Sequence, residues 1–151
     1  MYVHVIYMSI SGNVRRFAEH LKQYALQQHC ISEDSPLISL SEIRKDTSPI
    51  ELRSNFFVIL PTYTVTFAQH WIEILTTPMH HHLKKYNNYE KCLGFIGAGD
   101  ASSGMYAITA RAYANHYKAP FLTAFESHGT EMDVERIYSL LKFQAIQKIY
   151  S

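Results

Sequence analysis

The sequence predicts an α/β fold: one domain built on a doubly wound, five-stranded parallel sheet of order 2-1-3-4-5, with helices on both faces. Three observations carry this. Apolar runs of strand length alternate along the chain with segments of helical period. The central runs, Asn55-Phe56-Phe57-Val58-Ile59-Leu60 and Lys91-Cys92-Leu93-Gly94-Phe95-Ile96-Gly97-Ala98, are apolar on successive residues, as strands covered on both faces are. Three of the strands then end in short loops rich in hydroxyl and small residues, the place where open parallel sheets bind ligands.

The elements follow in order. Val3-His4-Val5-Ile6-Tyr7 is the first strand, and Met8-Ser9-Ile10-Ser11-Gly12-Asn13-Val14 is the turn after it. Val14, Phe17, Ala18, Leu21, Tyr24 and Ala25 recur at three- and four-residue steps, giving a helix over about 13–28 with one apolar face. Ser32 to Pro36 is a polar connection, and Leu37-Ile38-Ser39-Leu40 is a short strand. Residues 41–54 are polar, contain Pro49, and read as a loop with room for a short helical turn. The run 55–60 is the third strand, ended by Pro61, and 62–69 is the loop at its carboxyl end. Trp71 to Leu75 is ambiguous between strand and helix. Thr77 as N-cap and Pro78 as the first helical residue start a helix that should run to about Tyr86, with a turn over 86–89. The fourth strand, 91–98, leads to the loop Gly99-Asp100-Ala101-Ser102-Ser103-Gly104 and a helix over about 104–118. Phe121 to Glu126 is the fifth strand and His128-Gly129 a turn. Thr130 and Asp133 form a capping box before a helix whose apolar face holds Val134, Ile137, Tyr138 and Leu141.

In a 2-1-3-4-5 sheet the loops after strands 1, 3 and 4 share one edge, so 9–14, 62–69 and 99–104 converge there. The first is an anion-binding device. Unpaired N–H groups at a helix N-terminus and the helix dipole favour negative charge, and Ser9, Ser11 and Asn13 add donors. No Lys lies within it, which excludes a nucleoside triphosphate loop; a single terminal phosphate fits. In the second loop Tyr63 and Phe67 can stack on a flat ring, and the third offers backbone N–H groups and small hydroxyls to a ring edge. One phosphate, one planar heterocycle and a polar ring edge describe flavin mononucleotide (FMN), and the fold is accordingly flavodoxin-like. A response regulator shares the fold but needs acidic residues at the end of the first strand to hold a metal, where this chain has Met8-Ser9.

Composition narrows the functional classes. Among 151 residues, 47% are hydrophobic and 18% charged, as in ordinary globular proteins, and a net charge of +1 gives no electrostatic footprint for nucleic acid. No apolar run approaches a membrane span and the N-terminus lacks a signal core, so a cytoplasmic protein is expected, with Cys30 and Cys92 as reduced thiols. Cys92, within a strand, reads as core. His80-His81-His82 are consecutive on a helix, point about 100 degrees apart and do not converge on a metal; a solvated or partner-facing helix is expected there. Arg15 and Arg16 read as a solvated helix face, with screening of the phosphate as the alternative. Glu126 ends a strand near the same edge and reads as buried for structural reasons, with a flavin contact as the alternative. No Ser-His-Asp order or paired-carboxylate signature suggests a stand-alone enzyme.

Nearly the whole chain resembles the NrdI family, the flavodoxin-like partners of class Ib ribonucleotide reductase. The resemblance rests on Ser9-x-Ser11-Gly12-Asn13-Val14 followed by Arg16-Phe17, on Thr62-Tyr63-Thr64, and on Gly97-x-Gly99. Its most particular part is Ala119-Pro120-Phe121 leading to Phe125-Glu126-x-x-Gly129-Thr130-x-x-Asp133-Val134. It implies an FMN-binding redox protein that takes electrons from a flavin reductase or similar donor. Such a protein delivers electrons or flavin-reduced oxygen to the reductase small subunit while that subunit assembles its dimanganese-tyrosyl radical cofactor. On this reading FMN is held by Ser9, Ile10, Ser11, Gly12, Asn13 and Val14, by Thr62, Tyr63, Thr64, Phe67 and Ala68, and by Gly99, Asp100, Ser102, Ser103 and Gly104. Two departures stand out. The chain reads Phe67-Ala68-Gln69 where the family usually has a glycine near flavin N5, and Asp100 where it usually has Asn. A non-glycine residue at positive φ costs roughly 1–2 kcal/mol, which would hinder a peptide flip toward reduced N5. They keep two alternatives open: a general electron-transfer flavodoxin, and a binding module of the same fold with weakened or lost FMN redox function. The first fits less well with a chain this close to neutral.

Overall fold

Alternating side chains on buried strands produce the two cores of this protein. In the computed structural model, which describes residues 1–62, 77–100 and 106–150, the strands are β1 (Tyr2–Tyr7), β2 (Leu37–Glu42), β3 (Phe56–Pro61), β4 (Cys92–Gly99) and β5 (Phe121–Glu126). All pair in parallel in the order β2-β1-β3-β4-β5. Every residue of β3 is buried, as its uninterrupted apolar run requires. Successive residues point to opposite faces. Val3, Val5, Phe57, Ile59, Ile96 and Phe125 therefore pack against α1 (Asn13–Ile31) and α4 (Glu131–Ile149). Ile6, Phe56, Val58, Leu60 and Phe95 pack on the other side, against α2 (Pro78–Lys84) and α3 (Ile108–Tyr117).

Helix starts follow their caps. Thr77 Oγ1 accepts from the His80 amide at 3.4 Å, with Pro78 in the first turn. The capping box of α4 is reciprocal: the Asp133 amide donates to Thr130 Oγ1 at 3.1 Å and the Thr130 amide to Asp133 Oδ2 at 2.9 Å. Several boundaries differ from the sequence expectation. Helix α1 runs on to Ile31. Strand β2 continues past Leu40 to Glu42 because its ladder with β1 does, and the Ile43 amide then donates to the Tyr7 carbonyl at 2.8 Å. Helix α2 stops at Lys84 instead of Tyr86. Tyr86 and Asn87 take left-handed φ values of 59° and 55°, and 3-10 turns occupy Lys85–Lys91. Helix α3 begins at Ile108, after a left-handed Ala107 with φ 58°. The ambiguous stretch Trp71 to Leu75 lies outside the described residues.

Register brings the strand ends level. Tyr7 stands opposite Glu42 and Ile59, Pro61 opposite Ala98, and Gly99 opposite Glu126. The chain segments leaving β1, β3, β4 and β5 thus emerge along one carboxyl edge. Among the described residues no helix is long and apolar enough to cross a membrane.

Candidate functional site

The turn after β1 is closed by its own serine. Ser9 Oγ accepts from the Gly12 amide at 3.1 Å and, less directly, from the Arg15 amide at 3.4 Å. Gly12 occupies the N-cap position of α1 with φ 92°, a left-handed conformation that favours glycine. It has no side chain to cap the helix, and the first turn holds no acidic residue. That end of α1 presents backbone donors and the positive end of the dipole without an internal anion to cancel them.

This turn forms one wall of a cleft of about 460 Å³ at the carboxyl edge. Ile10, Ser11, Asn13 and Val14 line it from the first loop, Pro61 and Thr62 from the end of β3, and Ala98, Gly99 and Asp100 from the end of β4. Of the residues singled out in the sequence, Ser9 and Gly12 shape the turn without lining the cleft, and Tyr63, Thr64, Phe67, Ala68, Ser102, Ser103 and Gly104 lie outside the described residues. Two lining residues come from β5 and the turn after it, Glu126 and Ser127. Glu126 is exposed, not buried, because its strand ends level with Gly99 at the open edge. Nothing in the sequence marked Ser127, whose left-handed φ of 55° no glycine announces.

The strand ends are tied to one another. Thr62 Oγ1 donates to the Ala98 carbonyl at 2.9 Å, linking β3 to β4. A Cβ on Gly99 would stand 2.7 Å from that same Oγ1, so the close approach depends on the glycine. The Ser127 amide donates to the Gly99 carbonyl at 3.2 Å, linking β4 to the turn after β5.

Charge is distributed unevenly around the cleft. Donors gather at the α1 end, and the carboxylates of Asp100 and Glu126 stand at the β4–β5 end. Tyr106, which follows the third loop, has its phenol pushed up by burial and further by Glu126 and Asp133. Outside the cleft, Arg15 Nε donates to Glu42 Oε1 at 2.7 Å, and Arg44 pairs with the other oxygen. Burial pushes the Glu42 carboxyl up, but these two guanidiniums outweigh it and hold the group below its ordinary range. Arg16 points elsewhere, into a separate groove between α1 and α4 that it shares with His20, Tyr24 and Thr130.

The histidine run is not the solvated face expected of it. His80 and His82 are 7% and 3% exposed, and only His81 faces solvent. The sequence offered no apolar stripe to show which way α2 docks; in the structure it buries Met79 and Leu83 against the sheet and carries these two rings inward. His80 Nδ1 bonds the Tyr117 hydroxyl and His82 Nε2 the Thr47 carbonyl at 3.2 Å, so the rings diverge. No group of three His, Cys, Asp or Glu side chains among the described residues is arranged to hold a metal. Cys92 is core, its thiol pushed up to about 12 by burial, and Cys30 is an exposed free thiol.

Comparison with known proteins bears on the family and the fold. The sequence model of the family described as "NrdI Flavodoxin like" matches residues 5–139. A protein of Streptococcus pyogenes serotype M18 named "Putative NrdI-like protein" is 33% identical over 141 residues, covering 91% of this chain and 90% of its own. "Protein NrdI" of Mesoplasma florum is 29% identical over 142 residues, covering 93% and 84%. Among solved structures, a short-chain flavodoxin associated with a non-canonical PDU bacterial microcompartment superposes with a TM-score of 0.60 at 16% identity, covering 97% of this chain and 98% of its own. A flavodoxin from the domain Archaea gives 0.56 at 17% identity, with the same coverage. At these identities the two structures speak to the fold alone.

Proposed function

Because the chain belongs to the NrdI flavodoxin-like family, we propose that its carboxyl-edge cleft binds FMN and that the protein serves a class Ib ribonucleotide reductase. The fold and the family together imply a flavin; FMN is the form the cleft suits. Its first wall is a donor-rich helix N-terminus fitted to one terminal phosphate. Its volume lies within the roughly 300–1,000 Å³ of small-molecule sites. When bound, FMN supplies one- and two-electron transfer and the reduction of oxygen. This chain's own residues bind and orient. The Asn13 and Val14 amides with the Ser11 and Asn13 side chains hold the phosphate, and Ser9 and Gly12 keep those donors in place. Thr62 and Gly99, which border the cleft, would flank the ring, and the sequence offers Tyr63, Thr64, Phe67, Ala68, Ser102, Ser103 and Gly104 as its further contacts. Asp100, which lines the cleft, would supply a carboxylate acceptor to a ring N–H. The FMN-loaded protein would serve the reductase small subunit during assembly of its dimanganese-tyrosyl radical, with a flavin reductase or similar donor as its source of electrons.

The observation that carries this reading is the meeting of the first loop, Thr62 and Gly99-Asp100 in one cleft whose two ends differ in polarity. Titrating purified protein with FMN, followed by quenching of flavin fluorescence, tests it. A dissociation constant well below about 100 micromolar, equivalent to about −5.5 kcal/mol, is expected, and weaker binding overturns the FMN reading. Co-elution with a class Ib small subunit, and stimulation of its radical formation by the FMN-loaded protein, tests the partner separately.

A further inference from the structure

We infer that Arg15, held in place by Glu42, selects phosphorylated over unphosphorylated flavin at this cleft, an inference that rests on the FMN reading above. Arg15 sits in the first turn of α1, directly after the phosphate loop. Its Nε is engaged by Glu42 Oε1 at 2.7 Å. Its Nη1 stands 4.0 Å from the point where a Cβ on Gly12 would lie. One edge of the guanidinium is thus pinned to the end of β2, and its outer nitrogen lies against the glycine of the loop, with no side chain between.

The pin exists because β2 runs two residues further than its apolar run, bringing Glu42 opposite Tyr7 at the carboxyl edge. The Glu42 side chain is only 11% exposed and bridges Arg15 to Arg44, so two guanidiniums and one carboxylate leave a net +1 beside the loop. No acidic residue in the first turn of α1 offsets it. A flavin phosphate carries about −1.5 to −2 charges near neutral pH, whereas the unphosphorylated flavin carries none. A fixed net charge therefore acts on one ligand and not the other. Backbone amides and the α1 dipole shape the phosphate site, and Arg15, from just outside the cleft, adds a net charge beside it.

A surface ion pair that only steadies the fold would affect both ligands alike, so paired variants with opposite effects on charge decide the matter. Arg15→Gln brings the local charge to zero. FMN affinity should fall about threefold or more, riboflavin affinity should hold, and the salt dependence of FMN binding should flatten. Glu42→Gln keeps an amide oxygen to accept from Arg15 Nε and raises the local charge to +2. FMN should then bind about threefold tighter, with riboflavin again unchanged. Competitive titration of both flavins into wild type and the two variants, at low and high salt, reads these ratios. An unchanged FMN-to-riboflavin ratio in Arg15→Gln, or weaker FMN binding in Glu42→Gln, overturns the inference while leaving the FMN site standing. Wild-type protein that binds neither flavin overturns the FMN reading and this inference with it.

Discussion

Thr62 shows how one hydroxyl can organise a site by tying two strand ends together. It donates to the Ala98 carbonyl and sits in the space that a side chain on Gly99 would fill. Thr62→Val keeps the shape, removes the donor and leaves that carbonyl without this partner at the edge of the core. The expected cost is about 1 kcal/mol, read as a lower denaturant midpoint with an unchanged slope. FMN affinity should fall as well, because the ends of β3 and β4 would no longer be tied; equal FMN binding by Thr62→Val and wild type would show that the tie does not shape the cleft. The sequence marked Thr62 and Gly99 as loop residues because a strand's apolar run ended beside each. It did not show that one answers the other, since their contact spans two strands and depends on the parallel register. Ser127 and the Arg15–Glu42 pair escaped for the same reason, being created by strand ends that meet only after folding.

At the scale of elements, caps were legible and left-handed residues were not. Thr77-Pro78 and Thr130 to Asp133 announce helix starts through side-chain chemistry that acts within four residues. Tyr86, Asn87 and Ala107 interrupt or delay helices through positive φ values that nothing in their residue types requires, so those boundaries were misplaced. Helix α2 also carries a consequence for pH. His80 faces His81 and Lys84 on its own helix and Tyr117 and His116 on α3. His82 faces His81 and the Thr47 carbonyl and lies in the same helix that Asn88 braces through the His82 carbonyl. Burial is the first cause that lowers both imidazoles below their ordinary value. Electrostatic repulsion from His116, His81 and Lys84 adds to it at His80, whereas at His82 the bond to the Thr47 carbonyl works against it and His81 adds only a little. A depressed folded-state value means that the unfolded chain takes up protons first, so the stability held by neutral rings is present above about pH 6.5 and declines as pH falls through it. Denaturant midpoints should drop from pH 7.5 to pH 5.5. His82→Gln, whose amide can still donate to Thr47, should flatten that slope, and His81→Gln, an exposed residue that only adjoins the two buried rings, should flatten it less. Three indistinguishable slopes would mean that α2 releases its histidines to water without cost.

At the scale of the whole molecule, the sheet was the most legible feature because its cause is spread over many residues. A strand covered on both faces has to be apolar throughout, and β3 is buried from Phe56 to Pro61. Short connections and right-handed crossovers then leave few strand orders to choose from. The same architecture makes the cleft a property of the folded chain alone. Its walls come from Ser11 and Asn13, Thr62, Asp100 and Glu126, which span most of the sequence and meet only when β1, β3, β4 and β5 are in register. An unfolded chain retains no part of that arrangement, so a ligand of the cleft binds only the native state, and folding and binding are linked by mass action. FMN at a hundredfold excess over its dissociation constant should add about 2.7 kcal/mol to unfolding stability. For a domain of 151 residues that corresponds to a rise in melting temperature of several degrees. Riboflavin at the same concentration, lacking the phosphate proposed for the α1 end, should give a smaller rise. The size of the FMN shift should follow the logarithm of its concentration. A melting temperature indifferent to FMN across that range would mean that these strand ends meet without forming a flavin site.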